Sequence, residues 1–178
     1  MFDLPLGDYT ITFDDGLYSQ FYYLDEFLKF DTELIYFVST DILCDTVQSS
    51  NFEDCRNAHI KASVGNKEDY MTIEQVQRLT TIPNVSVGGH SHSHIDLTRF
   101  DRTTDKIAHI KTDTELMINW FKQNLGFEPR KFCFPYNNDL NGLYTNILKL
   151  YGITEVYGRE RTPIEMLQRI PDPIACHG

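Results

Sequence analysis

The sequence predicts an α/β fold: mainly parallel strands arranged as an incomplete or distorted (β/α) barrel. Three observations predict it. Short β-branched or aromatic runs alternate with segments of helical period along the whole chain, which argues for right-handed βαβ units and a largely parallel sheet. The length of 178 residues falls short of the ~250 residues of a complete eight-unit barrel. Polar clusters stand immediately after three of the expected strands, where parallel α/β proteins collect their chemistry.

The elements follow in order. Tyr9 to Phe13 (YTITF) reads as a short strand ending in Asp14-Asp15-Gly16. Phe21, Leu24, Phe27 and Leu28 recur at helical spacing, and Leu34 to Val38 is a wholly apolar strand. From about residue 40 to 70 the chain turns polar and reads as a long surface excursion, a kind of loop that is usually functional or mobile. Thr72 and Gln75 have capping-box spacing and open a helix through Leu79. Val85 to Val87 is a strand expected to stop at Gly88-Gly89, whose freedom would let the backbone turn sharply. Ile107, Ile110, Met117, Phe121 and Leu125 form one helical stripe, stopped by Gly126. Lys131 to Phe134 is a strand closed by Pro135. Leu143, Ile147 and Leu150 mark a helix stopped by Gly152, and Thr154 to Tyr157 is the last strand. No internal repeat is visible, so residues 1–178 are expected to form a single catalytic domain with the excursion at about 40–70.

Composition narrows the function. Hydrophobic residues make up 41% and aromatics 13%, enough for a core that needs no disulfide or structural metal. Sixteen Lys and Arg face 26 Asp and Glu, a formal charge of -10, which argues against nucleic acid and anionic membrane surfaces as partners. No stretch approaches the ~20 apolar residues of a membrane span. The first residues carry no basic segment and no apolar run, so a cytoplasmic location is expected. The cysteines Cys44, Cys55, Cys133 and Cys176 form no CxxC pair and are expected to be free thiols.

Asp14-Asp15-Gly16 alone would read as a solvated turn. The run His90-Ser91-His92-Ser93-His94 (HSHSH) changes that. One helical turn would put His90 and His94 on the same face, whereas an extended segment would align His90, His92 and His94. Either geometry suits a metal. Two imidazoles and a carboxylate with open positions describe a hydrolytic zinc site, and the same set describes non-haem iron oxygenases.

Three motifs in order resemble the polysaccharide deacetylases, the nodulation-type metal-dependent carbohydrate N-deacetylases. Thr12 to Gly16 (TFDDG) resembles the first motif, HSHSH fits the second (His-Ser/Thr-x-x-His), and Phe132 to Asn137 (FCFPYN) resembles the third. Leu167 to Pro171 is a weaker echo of the fourth. The resemblance implies Asp14 as general base and Asp15, His90 and His94 as ligands of one divalent ion, zinc by preference. It leaves His92 as a non-ligand, and implies that Pro135, Tyr136 and Asn137 shape the substrate pocket, with the Tyr136 N–H facing the developing oxyanion. The substrate implied is an N-acetylated sugar, such as a precursor of a surface polysaccharide.

Departures from the pattern bear on activity. Many members carry Arg where Cys133 stands, and that Arg holds the catalytic carboxylate; Arg169 is the candidate replacement. Asn137 replaces a usual Gly, though Asn tolerates a left-handed backbone. The family's last histidine motif has His177 as its candidate, here the expected proton donor to the leaving amine. His59 and His109 read as loop and boundary histidines, and Trp120 as a core or boundary residue. Two rivals remain at this point: a non-catalytic metal- and sugar-binding module of the same fold, and a non-haem iron oxygenase.

Overall fold

The computed structural model describes residues 9–158. Five parallel strands, β1 (Thr10–Phe13), β2 (Glu33–Val38), β3 (Val85–Gly89), β4 (Lys131–Cys133) and β5 (Glu155–Tyr157), pair strictly in sequence order. The sheet curls into a half-barrel flanked by helices, and the incomplete barrel expected from the sequence is borne out. Each strand lies within a residue or two of its sequence-predicted span.

Alternation along the strands divides the apolar residues. Leu34, Tyr36, Val38, Val85, Val87, Phe132 and Phe134 face the main core, with Met117 and Phe121 from the long helix. Ile35, Phe37 and Cys133 pack together on the opposite face with Tyr157. Thus the strand position that buries Phe132 against the helices turns Cys133 inward, toward the carboxyl end of β1.

The helices obey their local signals. The first apolar run is split into α1 (Tyr18–Tyr22) and α2 (Leu24–Phe27), broken at Tyr23. Helix α3 (Cys55–Ser63) is capped by Asp54, whose side chain accepts from Asn57 N–H at 2.9 Å. The Thr72/Gln75 capping box opens α4 (Ile73–Leu79) with both reciprocal bonds formed. Helix α5 (Thr103–Leu125) ends on Gly126 at φ 79°, and α6 (Leu143–Leu150) precedes Gly152 at φ 81°. None of the helices among the described residues is long and apolar enough to cross a membrane.

Two expectations need correction. Gly88 and Gly89 do not make the turn before the histidines: β3 runs through both. They are needed for close approach instead. A Cβ on Gly88 would lie 2.7 Å from the Phe37 ring, and one on Gly89 would lie 2.3 Å from Met117 Sδ. The chain turns later, at Ser91 (φ 66°) and His94 (φ 50°).

The second correction concerns the stretch from 40 to 70, which is more than a surface loop. It contains α3, and Ile42, Cys44, Ala58 and Tyr70 form a small buried cluster. Phe52 packs among the rings of Tyr18, Tyr22 and Tyr23, Gln48 and Gln75 exchange amide hydrogen bonds at 2.8 Å, and Lys61 pairs with Glu53 and Glu68. A few well-placed apolar residues suffice to dock this segment, and a polar average conceals them.

Candidate active site

The carboxyl ends of β1, β3 and β4 bring the three motif clusters together. Asp15 follows β1 at φ 72° and is buried. Its Oδ1 lies 3.2 Å from His90 Nε2 and 3.0 Å from His94 Nε2. The three donor atoms fall within 4.8 Å of one another, close enough to share one ion. His90 and His94 therefore converge through a turn, and His92 points elsewhere: its Nδ1 is 2.7 Å from Thr40 Oγ1.

The backbone that presents the histidines is held from two sides. Ser39 Oγ donates to His90 C=O at 2.8 Å, and the amides of Thr40 and Asp41 donate to Ser91 and His92 carbonyls. Beneath, the buried Asp113 of α5 accepts from His92 N–H at 2.7 Å and from Ser93 N–H at 2.9 Å, and Ser93 Oγ–H donates to the same carboxylate. The sequence reading missed Asp113. Its signal was legible: a carboxylate on the Ile110–Met117–Phe121 stripe is a polar group placed to be buried, and such groups are buried only with partners. His109 lies half-buried beside it, 3.8 Å away.

The donor set fits a divalent cation. His90 Nδ1 lies 2.9 Å from Cys133 C=O, so that nitrogen carries the proton and donates. In the neutral ring, Nε2 then turns a lone pair toward the Asp15 carboxylate, an arrangement that repels unless a proton or a cation lies between them. Burial raises the Asp15 pKa, but the surrounding imidazoles outweigh it and hold the carboxyl far below the usual range. Burial likewise lowers His90, yet the Asp15 contact leaves its pKa above the ordinary value. In His94 burial wins, and its pKa falls.

Two residues absent from the expected set stand at the same carboxylate. His59, read from the sequence as a solvated loop residue, comes from α3 with its Nε2 3.3 Å from Asp15 Oδ1 and its ring stacked on His94 at 4.3 Å. Cys55, one helical turn earlier, donates from Sγ to Asp15 Oδ2 at 3.0 Å. Partial burial and Asp15 push this thiol up to about 12. The reason for the miss is tertiary: only the folding back of the excursion puts α3 over the end of β1. The local signal was the i, i+4 spacing of Cys55 and His59 behind an Asp cap.

Asp14 lies beside this cluster. Its Oδ2 accepts from Cys133 Sγ at 3.4 Å, and its Oδ1 is buried without a hydrogen-bond partner among the described residues. Cys133, at the position where the resemblance leads one to expect an arginine, thus touches the Asp14 carboxylate. Pro135 is buried, and Tyr136 is 54% exposed with its ring 4.9 Å from that of His94. Tyr136 and Asn137 adopt φ of 58° and 50°. With Asp15, Ser91 and His94, that makes five non-glycine residues at positive φ around one site. Asp, Asn and His adopt this region readily, whereas Ser91 and Tyr136 carry about 1–3 kcal/mol each of the kind of strain that collects at functional sites. Arg169 and His177 lie outside the described residues, as do the other residues of the C-terminal tail.

No family model matches the sequence, and no curated protein matches it. Solved structures do match. A de-N-acetylase from Aggregatibacter actinomycetemcomitans superposes with a TM-score of 0.66 at 16% identity, over 86% of this chain and 64% of its own. IcaB from Ammonifex degensii gives 0.60 at 19% identity, over 89% of this chain and 70% of its own. A CE4 family pseudoenzyme from Bacillus anthracis gives 0.54 at 12% identity, over 86% and 44%. The chain spans less than two thirds of the first of these. The curled parallel sheet has the fold of the polysaccharide deacetylases.

Proposed function

We propose that this protein is a metal-dependent hydrolase that removes an acetyl group from an N-acetylated sugar. The observation that carries the reading is the convergence of Asp15, His90 and His94 beside a second carboxylate, Asp14, whose Oδ1 has no hydrogen-bond partner among the described residues. Asp15, His90 and His94 would hold the ion, zinc by preference for this mixed nitrogen and oxygen set. A divalent ion there supplies Lewis-acid polarisation of the acyl carbonyl and acidifies water.

The chain's own residues do the rest. Asp14 Oδ1 is the proton acceptor, positioned by its place next to Asp15 on the same strand end. The Cys133 thiol donates to Asp14 Oδ2 and leaves the buried Oδ1 unengaged among the described residues. Tyr136 N–H, on its left-handed turn, serves the developing oxyanion, a contribution of about 3 kcal/mol for one such donor. Pro135 and Asn137 shape the wall around the acyl group. Arg169 steadies the catalytic carboxylate or the substrate, and His177 returns a proton to the leaving amine. The substrate class follows from the same reading: a saccharide precursor of a surface polysaccharide.

The decisive test is acetate release from N-acetylglucosamine oligomers by the zinc-loaded protein. Acetate that disappears in Asp14→Asn while zinc stays bound supports the assignment. A specific observation favours a second reading, a non-catalytic metal- and sugar-binding module. A thiol replaces the arginine at position 133, and a pseudoenzyme shares the fold. Bound zinc and bound oligosaccharide without acetate would select that alternative.

A further inference from the structure

We propose that helix α3 provides a second zinc position, formed by Cys55 Sγ, His59 Nε2 and Asp15, with Asp15 bridging to the His90–His94 pair. The inference rests on the proposed function only in taking Asp15 as a ligand. Cys55 Sγ, His59 Nε2 and an Asp15 carboxylate oxygen lie within 4.8 Å of one another. A spacing of four residues on α3 sets the thiol and the imidazole on one helical face, and the Asp54 cap fixes where that helix begins.

Partition of the carboxylate supports two positions. The imidazoles of His90, His94 and His59 all approach Oδ1, whereas the thiol alone approaches Oδ2 and opens the second side of the carboxylate. His59 Nε2 is buried 3.3 Å from Oδ1 and has no other hydrogen-bond partner among the described residues. In the neutral ring with its proton on Nδ1, that nitrogen turns a lone pair toward the carboxylate, which repels unless a proton or a cation lies between them. Coordination uses its lone pair. On the far side of the ring, Nδ1 lies 3.0 Å from Tyr70 OH, a contact of the kind that fixes the orientation of metal-binding histidines.

Ligand chemistry names the ion. Thiolate with imidazole and carboxylate favours zinc over magnesium or calcium, which prefer all-oxygen sets. On binding, the Cys55 S–H bond breaks, its proton leaves to solvent, and the sulfur pair is donated to zinc. A sugar-hydrolysing site would thereby gain two ions on one bridging carboxylate, an arrangement suited to clamping an oxygen-rich substrate.

Zinc titration with X-ray absorption tests this on the full chain. The wild type should take up about two equivalents, with a sulfur scatterer at about 2.3 Å. The double variant His90→Ala/His94→Ala should keep about one equivalent with sulfur in its shell. Cys55→Ser/His59→Ala should keep about one equivalent with nitrogen and oxygen only. A wild-type shell without sulfur overturns the inference, as does unchanged stoichiometry in Cys55→Ser/His59→Ala. Should a double variant fail to fold by circular dichroism, Cys55→Ser alone decides: its zinc shell should lose the sulfur, and sulfur retained there, as Cys133 beside His90 would supply, overturns the inference. Acetate release from a sulfur-free site removes this inference and leaves the proposed function standing. Sulfur-bound zinc without acetate release does the reverse.

Discussion

The two walls that flank Asp15 are built by different physics. On one side His90 and His94 emerge from a central buried strand, and their loop is clamped by Ser39 above and the buried Asp113 below. On the other side Cys55 and His59 ride on a nine-residue helix that buries only Ala58 and is tied down by Lys61, paired with Glu53, Glu68 and the buried Asp69, and by the His59–Tyr70 contact. Buried charge-assisted bonds are strong and short, whereas exposed ion pairs contribute little. The first wall is therefore fixed more firmly than the second.

The largest expected effect comes from removing what the walls share. Asp15→Ala should abolish zinc binding, measured by metal analysis after dialysis; substantial retained zinc would show that the walls do not meet at this carboxylate. Next is the residue that neither wall needs for metal. Asp14→Asn should lower acetate release about a hundredfold or more, within the range for loss of a general base, with zinc content unchanged. If Asp14→Asn strips the metal while Asp15→Asn does not, the two roles are reversed.

The clamp of the fixed wall is tested separately. Asp113→Ala leaves three donors of the His92–Ser93 segment without their acceptor. It should cost about 3 kcal/mol in thermal or urea unfolding. Zinc affinity should fall about tenfold, the usual effect of losing an outer-shell partner. A stability loss with unchanged zinc affinity would mean that the clamp serves the fold alone.

Proton competition gives a smaller effect. His90 has a pKa above the ordinary 6.5 in the metal-free chain, because the Asp15 contact outweighs burial. Zinc requires the unprotonated ring, so apparent affinity should rise with pH through that raised pKa. Below it, affinity should fall by about tenfold per pH unit for each proton displaced. An affinity that begins to fall only below 6.5 would show that His90 is not held by Asp15. Smallest of all, His92→Ala should keep its zinc and lose about 1 kcal/mol with the Thr40 hydrogen bond.

Periodicity and caps determined most of the frame from the sequence alone. Five apolar runs became five strands, the Thr72/Gln75 box opened its helix, and Gly126 closed the long one. These signals are local, because a strand alternates and a helix repeats within a few residues. The spacing of His90 and His94 was likewise local, and so was the placement of Asp14 and Asp15 at a strand end.

What only the tertiary structure decided lies between residues far apart in the chain. The polar run from 40 to 70 folds back because a handful of residues, Ile42, Cys44, Ala58 and Tyr70, bury one another. That docking, rather than any motif, sets His59 against Asp15. Asp113 meets His92 across about twenty residues of chain, and Gly88 and Gly89 owe their place to the Phe37 ring and the Met117 sulfur. Each is a matter of close packing or of pairing a buried charge, and both depend on which surfaces meet. Local pattern fixes the elements; the contacts among them assign Cys55, His59 and Asp113 their places because burial and electrostatics act through space.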